Sequence, residues 1–368
     1  MRSVVEGVCS FAARGACTDA ERRAALWLHD EVRSRLHRAW VETHWVRPRR
    51  AAVLTLGCLL TVAGSLLSTA VPVAGLAAAA VGALSLALEA AGRLGPIRAL
   101  FPRRATQHVL TGVPDEGVVL MITAAYDAPQ RGLVLNDRWR ARLRRAPSWT
   151  LASCAIAVAA AAAARVAGYE PGWLGAVQLV PTLALLVAVA AAADVALSDV
   201  SPGANDNASG VAVAVRLLEE LDREPPRALR PALLLTGAGH VVPRAAARHL
   251  RAGGLGAERV VLLELGPCGA GRPAWAARHP QVRAAAARAA AALGLPDGPR
   301  PRRPAVRVPA IRIACLDERG ISPRAHQEDD TPDGVDDAAM DAALDLALGV
   351  VDALDAELSA RGTTASVS

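Results

Sequence analysis

Lysine is absent from this 368-residue sequence, so all 41 of its basic residues are arginine. Because alanine is abundant as well, the absence indicates a compositional bias and carries no functional signal. The six cysteines show no Cys-x-x-Cys spacing, which argues against a disulfide framework and predicts reduced thiols. A net charge of +6 would suit nucleic acid, but the arginine clusters flank apolar segments, so no nucleic-acid partner is expected. The charged, helical N-terminus also predicts no cleavable signal peptide.

Charge is missing from two long regions. Residues 51–88 contain none, which is enough for two membrane spans of about 20 residues joined by a turn at 68–72. Residues 146–164 and 171–193 are uncharged too, and Pro181 is tolerable inside a span. We predict four spans in two helical hairpins; the alternative is four buried alanine-rich helices of a soluble protein. A channel or transporter has little support, because the spans hold no internal charge that would mark an ion pathway.

Arginine clusters set the expected orientation of these hairpins. Clusters precede the first span, follow the second and precede the third, whereas the two short connecting loops hold one arginine between them. By the positive-inside rule, we expect a multi-pass protein of the cell membrane with both termini and the large polar segments in the cytoplasm. The lipid bilayer is then the expected partner, with contacts to anionic lipid as a by-product. The clusters are Arg47, Arg49 and Arg50, then Arg93, Arg98, Arg103 and Arg104, then Arg138, Arg140, Arg142, Arg144 and Arg145.

The remaining polar pieces predict one α/β domain. Residues 1–50, 93–147 and 198–368 would be its three parts, with the hairpins inserted at 51–92 and 148–197. Four apolar runs predict buried strands, and helical patterns alternate with them, which favours an α/β fold. Thr18 and Glu21 predict a capping box at the start of an N-terminal helix. Strands are expected at 118–123, 232–236, 260–265 and 311–316, and helices at 208–221, 243–252, 282–293 and 335–358.

Side chains of metal-ligand type follow the predicted strands. In α/β sheets, chemistry lies on the loops beyond the carboxyl ends of strands, so this pattern predicts a metal site. The alternatives are a plain helix cap at 205–207, a turn at 330–333 before the last helix, and a buried glutamate paired with an arginine. The residues are Asp127 after the first strand, His240 after the second, Glu264 at the end of the third, His326 and Asp330 after the fourth, and Asp206 where a helix begins.

Several segments carry motifs of one family. SPGANDNASGVAVAVRLLEEL, from Ser201, is similar to a P-G-A-N-D-(D/N)-A-S-G motif followed by a helix, and AHQEDDTPDGVD, from Ala325, to an H-x-x-x-D-T-x-D segment. The family has a strand that ends in A-H-x-D, which MITAAYDAP resembles, and one that ends in G-A-E-E, which LLLTGAG resembles. The third predicted strand resembles one that ends in L-D-x-x-G. These motifs resemble the zinc exopeptidases of peptidase family M-twenty-eight, which include bacterial aminopeptidases, glutaminyl cyclases and the non-catalytic ectodomain of the transferrin receptor. The resemblance covers the three polar pieces in order and implies a zinc-exopeptidase-like mixed sheet flanked by helices.

The resemblance implies two zinc ions bridged by one aspartate, here Asp206. One ion would take Glu264, which stands where the family has aspartate, and a histidine whose position holds Ala125. The other ion would take His326 and His240, the latter in place of a glutamate. Carboxylates that support the ligands from behind would be Asp127 and Asp330.

Two positions hold residues that cannot perform the family's chemistry. Ala125 has no donor atom, so the first ion keeps only two carboxylates, a poor zinc site. The second ion keeps one carboxylate and two imidazoles with an open position, so one zinc ion is expected before two. The family's general-base glutamate falls at Gly239, so no catalytic residue is predicted, and general-base help typically supplies about 10²–10⁴-fold in rate. A water-mediated base such as Glu328 or Asp329 stays open.

Two functions follow from this site. The first is a membrane-anchored binding or scaffold domain whose peptidase activity is weakened or lost. The second is an active membrane-bound metallohydrolase, an aminopeptidase or amidase, that uses a single metal at Asp206, His240 and His326. A peptide or small amide is the expected substrate or ligand, and the sequence does not identify a protein partner.

Overall fold

Seven strands form one sheet in the computed structural model, which describes residues 1–36, 38–113, 116–144, 149–242, 246, 249–250, 257–304, 306 and 308–365. The strands are β1 (Trp40–Val46), β2 (Arg104–Leu110), β3 (Val118–Ala125), β4 (Leu229–Thr236), β5 (Val260–Leu265), β6 (Arg272–Ala277) and β7 (Ala310–Leu316). Their order across the sheet is β1-β2-β4-β3-β5-β7-β6. The central strands β4, β3, β5 and β7 run parallel, and β1, β2 and β6 add antiparallel edges. The predicted α/β class with a mixed sheet is therefore confirmed.

Helices cover the sheet and form two long hairpins. Successive strand residues point to opposite faces, so Leu120 and Ile122 pack in the main core with Val211, while Met121 and Leu234 pack in a smaller core on the other face. The helices are α1 (Arg2–Cys9), α2 (Asp19–Leu36), α3 (Arg50–Leu67), α4 (Pro72–Ala90), α5 (Pro96–Ala99), α6 (Asp137–Leu143), α7 (Thr150–Val166), α8 (Gly172–Leu197), α9 (Gly210–Arg223), α10 (Pro280–Ala292) and α11 (Asp337–Ala365).

The secondary structure agrees with the sequence best in the centre of the sheet. The four predicted strands are confirmed as β3, β4, β5 and β7, and three predicted helices as α9, α10 and α11. The helix predicted at 243–252 lies mostly outside the described residues. The sequence does not predict β1, β2 and β6, because these edge strands lack the long apolar runs of strands buried on both faces.

Two helical hairpins interrupt the domain. Helices α3 and α4 lie between β1 and β2 in the chain, and α7 and α8 lie between β3 and α9. The turn predicted at 68–72 is confirmed, since α3 ends at Leu67 and α4 begins at Pro72. These two helices approach closely through small residues: a Cβ added at Gly64 would lie 2.5 Å from the backbone nitrogen of Ala79.

Three of these helices, α3, α4 and α8, are long and apolar enough to cross a membrane. Helix α7 has 17 residues, which is at the short limit for a span, so the structure supports three of the four predicted spans by length. Their outer surfaces expose large apolar side chains; Val73, Val180 and Val187 are 69%, 70% and 71% exposed. Polar groups turn inward instead, as where Gln178 donates to the hydroxyl of Ser65 at 2.8 Å.

Candidate functional site

Asp206 lies at the centre of a buried polar cluster at the carboxyl end of the sheet. It belongs to the turn Ala204–Ser209 that leads into α9, and only 7% of it is exposed. The carboxylate of Asp330 fixes this turn by accepting from the backbone nitrogens of Asn205 at 2.6 Å and Asp206 at 3.1 Å. The peptide bond between Asp206 and Asn207 is cis. The motif that the sequence singles out therefore places its aspartate in a fixed position.

Two histidines face the two oxygens of the Asp206 carboxylate. Nε2 of His240 lies 3.2 Å from Oδ1, and Nε2 of His326 lies 3.6 Å from Oδ2. The two rings are nearly perpendicular, with an interplanar angle of 85°. The loop after β4 and the segment after β7 supply these histidines, so the structure brings together the three residues predicted to share one ion.

The outer nitrogen of each histidine also has a partner. Nδ1 of His240 lies 3.2 Å from the carboxylate of Asp127, and Nδ1 of His326 is 2.9 Å from the carbonyl oxygen of Gln130. Asp127 is fully buried and also accepts from the backbone nitrogens of Gly239 and His240. Metal-binding histidines typically donate their other ring nitrogen to a carboxylate or a carbonyl; His326 makes such a hydrogen bond, whereas the His240 contact lacks hydrogen-bond geometry.

Burial and neighbouring charges shift the pKa values of these site residues in opposite directions. Burial disfavours the charged form of His240, but the carboxylates of Asp127 and Asp206 outweigh it and raise the pKa to about 10. Burial would raise the pKa of Asp206, but the two histidines hold it well below its usual range. Burial lowers the pKa of His326, against the attraction of Asp206, and raises the pKa of Asp330 to about 7. The metal-free site therefore holds a proton on His240 at neutral pH.

The donor set has the chemistry of a zinc site, one carboxylate and two imidazoles, but its three ligand atoms do not all lie within 4.8 Å of one another in this structure. His326 donates from Nδ1 to a carbonyl, so in its neutral form Nε2 points a lone pair at the carboxylate of Asp206. The lone pair and the carboxylate repel each other. A cation between them would remove this repulsion. Two ligands of a tetrahedral zinc ion stand about 3.4 Å apart, given bonds of about 2.1 Å. The two histidines contact different oxygens of Asp206, at 3.2 and 3.6 Å, so the imidazoles would have to approach each other to share one ion.

The position to which the resemblance assigns a general base is closed. A Cβ added at Gly239 would lie 2.5 Å from the Cβ of Ala125 and 3.1 Å from the hydroxyl of Thr236. The methyl group of Ala125 thus occupies the space in which a side chain at 239 would begin. The two residues that depart from the family's pattern are neighbours, and neither supplies a polar side chain.

The remaining predicted residues lie away from this cluster's contacts. Glu264 has an arginine partner, Nη1 of Arg312 at 3.7 Å, and its side chain is 32% exposed. Glu328, considered as a water-mediated base, is 89% exposed and binds Arg131 at 2.9 Å; Asp329 is exposed. The sequence left two roles open for Glu264, metal binding and pairing with an arginine. The structure shows the contact with an arginine.

Sequence patterns did not reveal how two buried ionisable side chains shape the site. Arg14 is 1% exposed and donates to the carbonyls of Tyr126 at 3.0 Å and Gly203 at 2.6 Å, which ties two site loops together. Glu21 was predicted to complete a capping box with Thr18; its backbone nitrogen does bond the Thr18 hydroxyl. Its carboxylate instead accepts from the backbone nitrogens of residue 17 at 2.8 Å and residue 238 at 2.6 Å. That part of the prediction is wrong, because the loop after β4 competes for the same oxygens.

An apolar cavity of about 320 Å³ adjoins the two histidines. Its walls come largely from α3, α7 and α8, through residues such as Leu54, Leu151 and Ala188, and His240 and His326 lie at its polar end together with Arg50. The site therefore opens toward the helices that are long and apolar enough to cross a membrane.

Solved structures match this fold over most of its length. No protein-family model matches the chain, and no curated protein is similar to it in sequence. A glutaminyl cyclase of Porphyromonas gingivalis superposes with a TM-score of 0.55 at 13% identity, covering 97% of this chain and 96% of that one. A zinc aminopeptidase from Bacillus subtilis gives 0.54 at 12% identity, covering 95% and 93%, and the LapA aminopeptidase of Legionella pneumophila gives 0.52 at 11%, covering 96% and 69%. The chain therefore has the mixed α/β fold of the glutaminyl cyclases and zinc aminopeptidases.

Proposed function

We propose that this protein is a membrane-anchored domain that binds a ligand at the Asp206 site and has lost peptide hydrolysis. The observation that carries the proposal is the closed base position, where Gly239 has no side chain and Ala125 fills the space beside it. Loss of a general base typically costs about 10²–10⁴-fold in rate. Asp127 does not replace the base, because it is fully buried and committed to His240 and to two backbone nitrogens.

The cavity supports an amphipathic ligand. Its volume of about 320 Å³ corresponds to roughly ten water volumes, so it holds a chain of about that many heavy atoms. Apolar walls from α3, α7 and α8 suit an acyl or alkyl chain, and Arg50 and His240 at the polar end suit an anionic head group. Such a ligand would enter from the bilayer, in which α3, α4, α7 and α8 are proposed to lie with both termini in the cytoplasm.

A single zinc ion suits the same residues. Asp206, His240 and His326 would hold it, with Asp127 and the Gln130 carbonyl orienting the two imidazoles. Bound zinc lowers the pKa of a water ligand to about 7. This donor set favours a second candidate function, a single-metal aminopeptidase or amidase with its general base missing. In that function, Arg50 would bind an anionic group of the substrate.

Zinc content and hydrolysis separate the two candidate functions. Untagged protein is purified in detergent, loaded with zinc and dialysed, and its metal is counted by mass spectrometry beside Asp206→Ala and His326→Ala variants. We expect each variant to hold about one zinc ion per chain fewer than the native protein, because each loses a ligand. Hydrolysis of aminoacyl and simple amides by the native protein is expected to equal that of both variants. Zinc-dependent hydrolysis that disappears in both variants would contradict the loss of catalysis and favour the metallohydrolase.

Filling the cavity is expected to weaken ligand binding about tenfold or more. Ala188 lies in the cavity wall on α8, so Ala188→Trp would occupy the space of the apolar chain. Ala190→Trp is the matched control, because Ala190 is on the same helix but exposed. The measurement is equilibrium dialysis of labelled decanoate against protein in phosphatidylcholine nanodiscs, with empty nanodiscs subtracted. Equal binding by both variants would show that decanoate does not use this cavity.

A further inference from the structure

A second group of metal-ligand side chains lies at the edge of the sheet, away from Asp206. Glu42 and His44 are two residues apart on β1 and therefore point to the same side of it. His249 reaches them from the part of the chain that precedes β5. Each of these three described residues offers one ligand atom, and the three atoms lie within 4.8 Å of one another.

The distances within the trio match a shared ion. Oε2 of Glu42 lies 3.5 Å from Nε2 of His44 and 3.6 Å from Nδ1 of His249. These separations are close to the edge of about 3.4 Å expected between two ligands of a tetrahedral zinc ion. The other carboxylate oxygen, Oε1, accepts from Nε1 of Trp40 at 3.0 Å, which orients Glu42 and leaves Oε2 directed at the histidines.

Among the described residues, the two imidazole nitrogens have no other partner. Nε2 of His44 and Nδ1 of His249 are buried atoms without a hydrogen bond, and leaving a buried polar atom unsatisfied is unfavourable. A bound cation would satisfy both at once. The ring of His108 on β2 stacks on His44 with centroids 4.2 Å apart. Nδ1 of His108 already accepts from the backbone nitrogen of Gly237 at 3.3 Å, so His108 supports the ring of His44 and leaves the ion to the trio.

We propose that Glu42, His44 and His249 bind a divalent transition-metal ion of the zinc class, with a structural role. Two imidazoles and a carboxylate suit zinc, cobalt or nickel and not magnesium or calcium, which prefer oxygen ligands throughout. The ion clamps the edge strand β1 to a segment that follows it by about two hundred residues, and a metal that closes so distant a contact stabilises the fold on binding. The proposal does not depend on the proposed function, because it uses none of the residues around Asp206.

Zinc counting in a His326→Ala background tests this site separately from the first. Untagged His326→Ala protein, stripped with a chelator and then dialysed against zinc, is expected to hold about one zinc ion per chain. Adding His44→Ala or Glu42→Gln to that background is expected to remove it, while adding His279→Ala, a histidine outside both sites, leaves it. Zinc is also expected to raise the unfolding temperature of the His326→Ala protein and of the His279→Ala control. It is expected to leave the unfolding temperature unchanged in the two proteins that also carry His44→Ala or Glu42→Gln.

Three outcomes would overturn the proposal. The first is a His326→Ala protein that holds no zinc, and the second is zinc that persists in both the His44→Ala and Glu42→Gln backgrounds. The third is magnesium that binds as tightly as zinc, which two imidazoles would not allow. Circular dichroism of the stripped proteins shows whether each variant is folded before metal is added. Two independent substitutions keep the test informative where one of them does not fold.

Discussion

Without metal, the protein is expected to lose stability as the pH rises from about 6.5 to about 10. Burial opposes the charge of His240, but Asp127 and Asp206 raise its folded-state pKa from 6.5 to about 10. A raised histidine pKa contributes stability that is fully present below the unfolded value and is lost as the pH passes the folded value. One pKa unit corresponds to about 1.4 kcal/mol, so the difference between 6.5 and about 10 corresponds to a loss on the order of 5 kcal/mol.

Two buried carboxylic acids also make the folded protein less stable as the pH rises, over a lower pH range than His240. Burial raises the pKa of Asp330 to about 7, and burial together with the charge of Asp127 raises that of Glu21 to about 8. The folded chain therefore keeps protons that the unfolded chain releases near pH 4, and stability falls as the pH rises through this range. The lowered pKa of Asp206 acts oppositely, since its contribution is present above about pH 4 and is lost only in acid. Maximum stability is expected on the acidic side of neutrality.

Thermal unfolding with chelator present, from pH 5 to pH 10, measures this dependence. His240→Asn is expected to unfold at lower temperature at pH 6 and to show a flatter curve above pH 6.5. His279→Asn, with the same change outside the site, is the control and keeps the native slope. A His240→Asn curve as steep as the native one would contradict the assignment of the high-pH arm to His240.

Replacing Arg98 by leucine is expected to destabilise the protein by about 3–5 kcal/mol. Arg98 donates from Nε and Nη2 to the two carboxylate oxygens of Glu89 at 2.9 and 2.8 Å, and both side chains are under a tenth exposed. Nη1 also donates to the carbonyl of Arg47, which leads into α3. The variant would leave the carboxylate buried at the foot of the first hairpin, with the half-exposed Arg50 as its other cation.

Unfolding temperature in detergent, followed by size-exclusion chromatography, measures this effect. The double variant Arg98→Leu with Glu89→Leu is expected to recover much of the loss, because it removes the uncompensated charge. Arg22→Leu breaks an exposed pair with Asp19 at 2.8 Å and is expected to leave the unfolding temperature nearly unchanged. An Arg98→Leu protein as stable as Arg22→Leu would contradict a role for the buried pair.

The sequence predicted the parts of the fold that local patterns encode. Continuous apolar runs predict β3, β4, β5 and β7 because a parallel strand is buried on both faces. The motif around Asp206 predicts its place at a helix start. The contact of Asp206 with His240 and His326 follows from the resemblance, which supplies long-range pairing that no local pattern contains.

What the sequence did not predict depends on contacts between distant segments. His249 meets Glu42 only after β1 has taken the edge of the sheet, and nothing near either residue indicates the other. The same holds for the cavity, whose walls come from both hairpins while its polar end comes from loops of the domain. Glu21 has a local pattern that predicts a cap, yet a loop more than two hundred residues later takes its carboxylate.

The order of strands across the sheet has a consequence for synthesis. β2 and β3 follow one another in the chain, but β4 lies between them in the sheet. β4 emerges only after α7 and α8, so ribosomal synthesis completes both hairpins before the centre of the sheet can pair. The half-made domain then holds β2 and β3 without the strand that lies between them. Completion of the second hairpin and closure of the sheet are thus consecutive events in the synthesis of one chain.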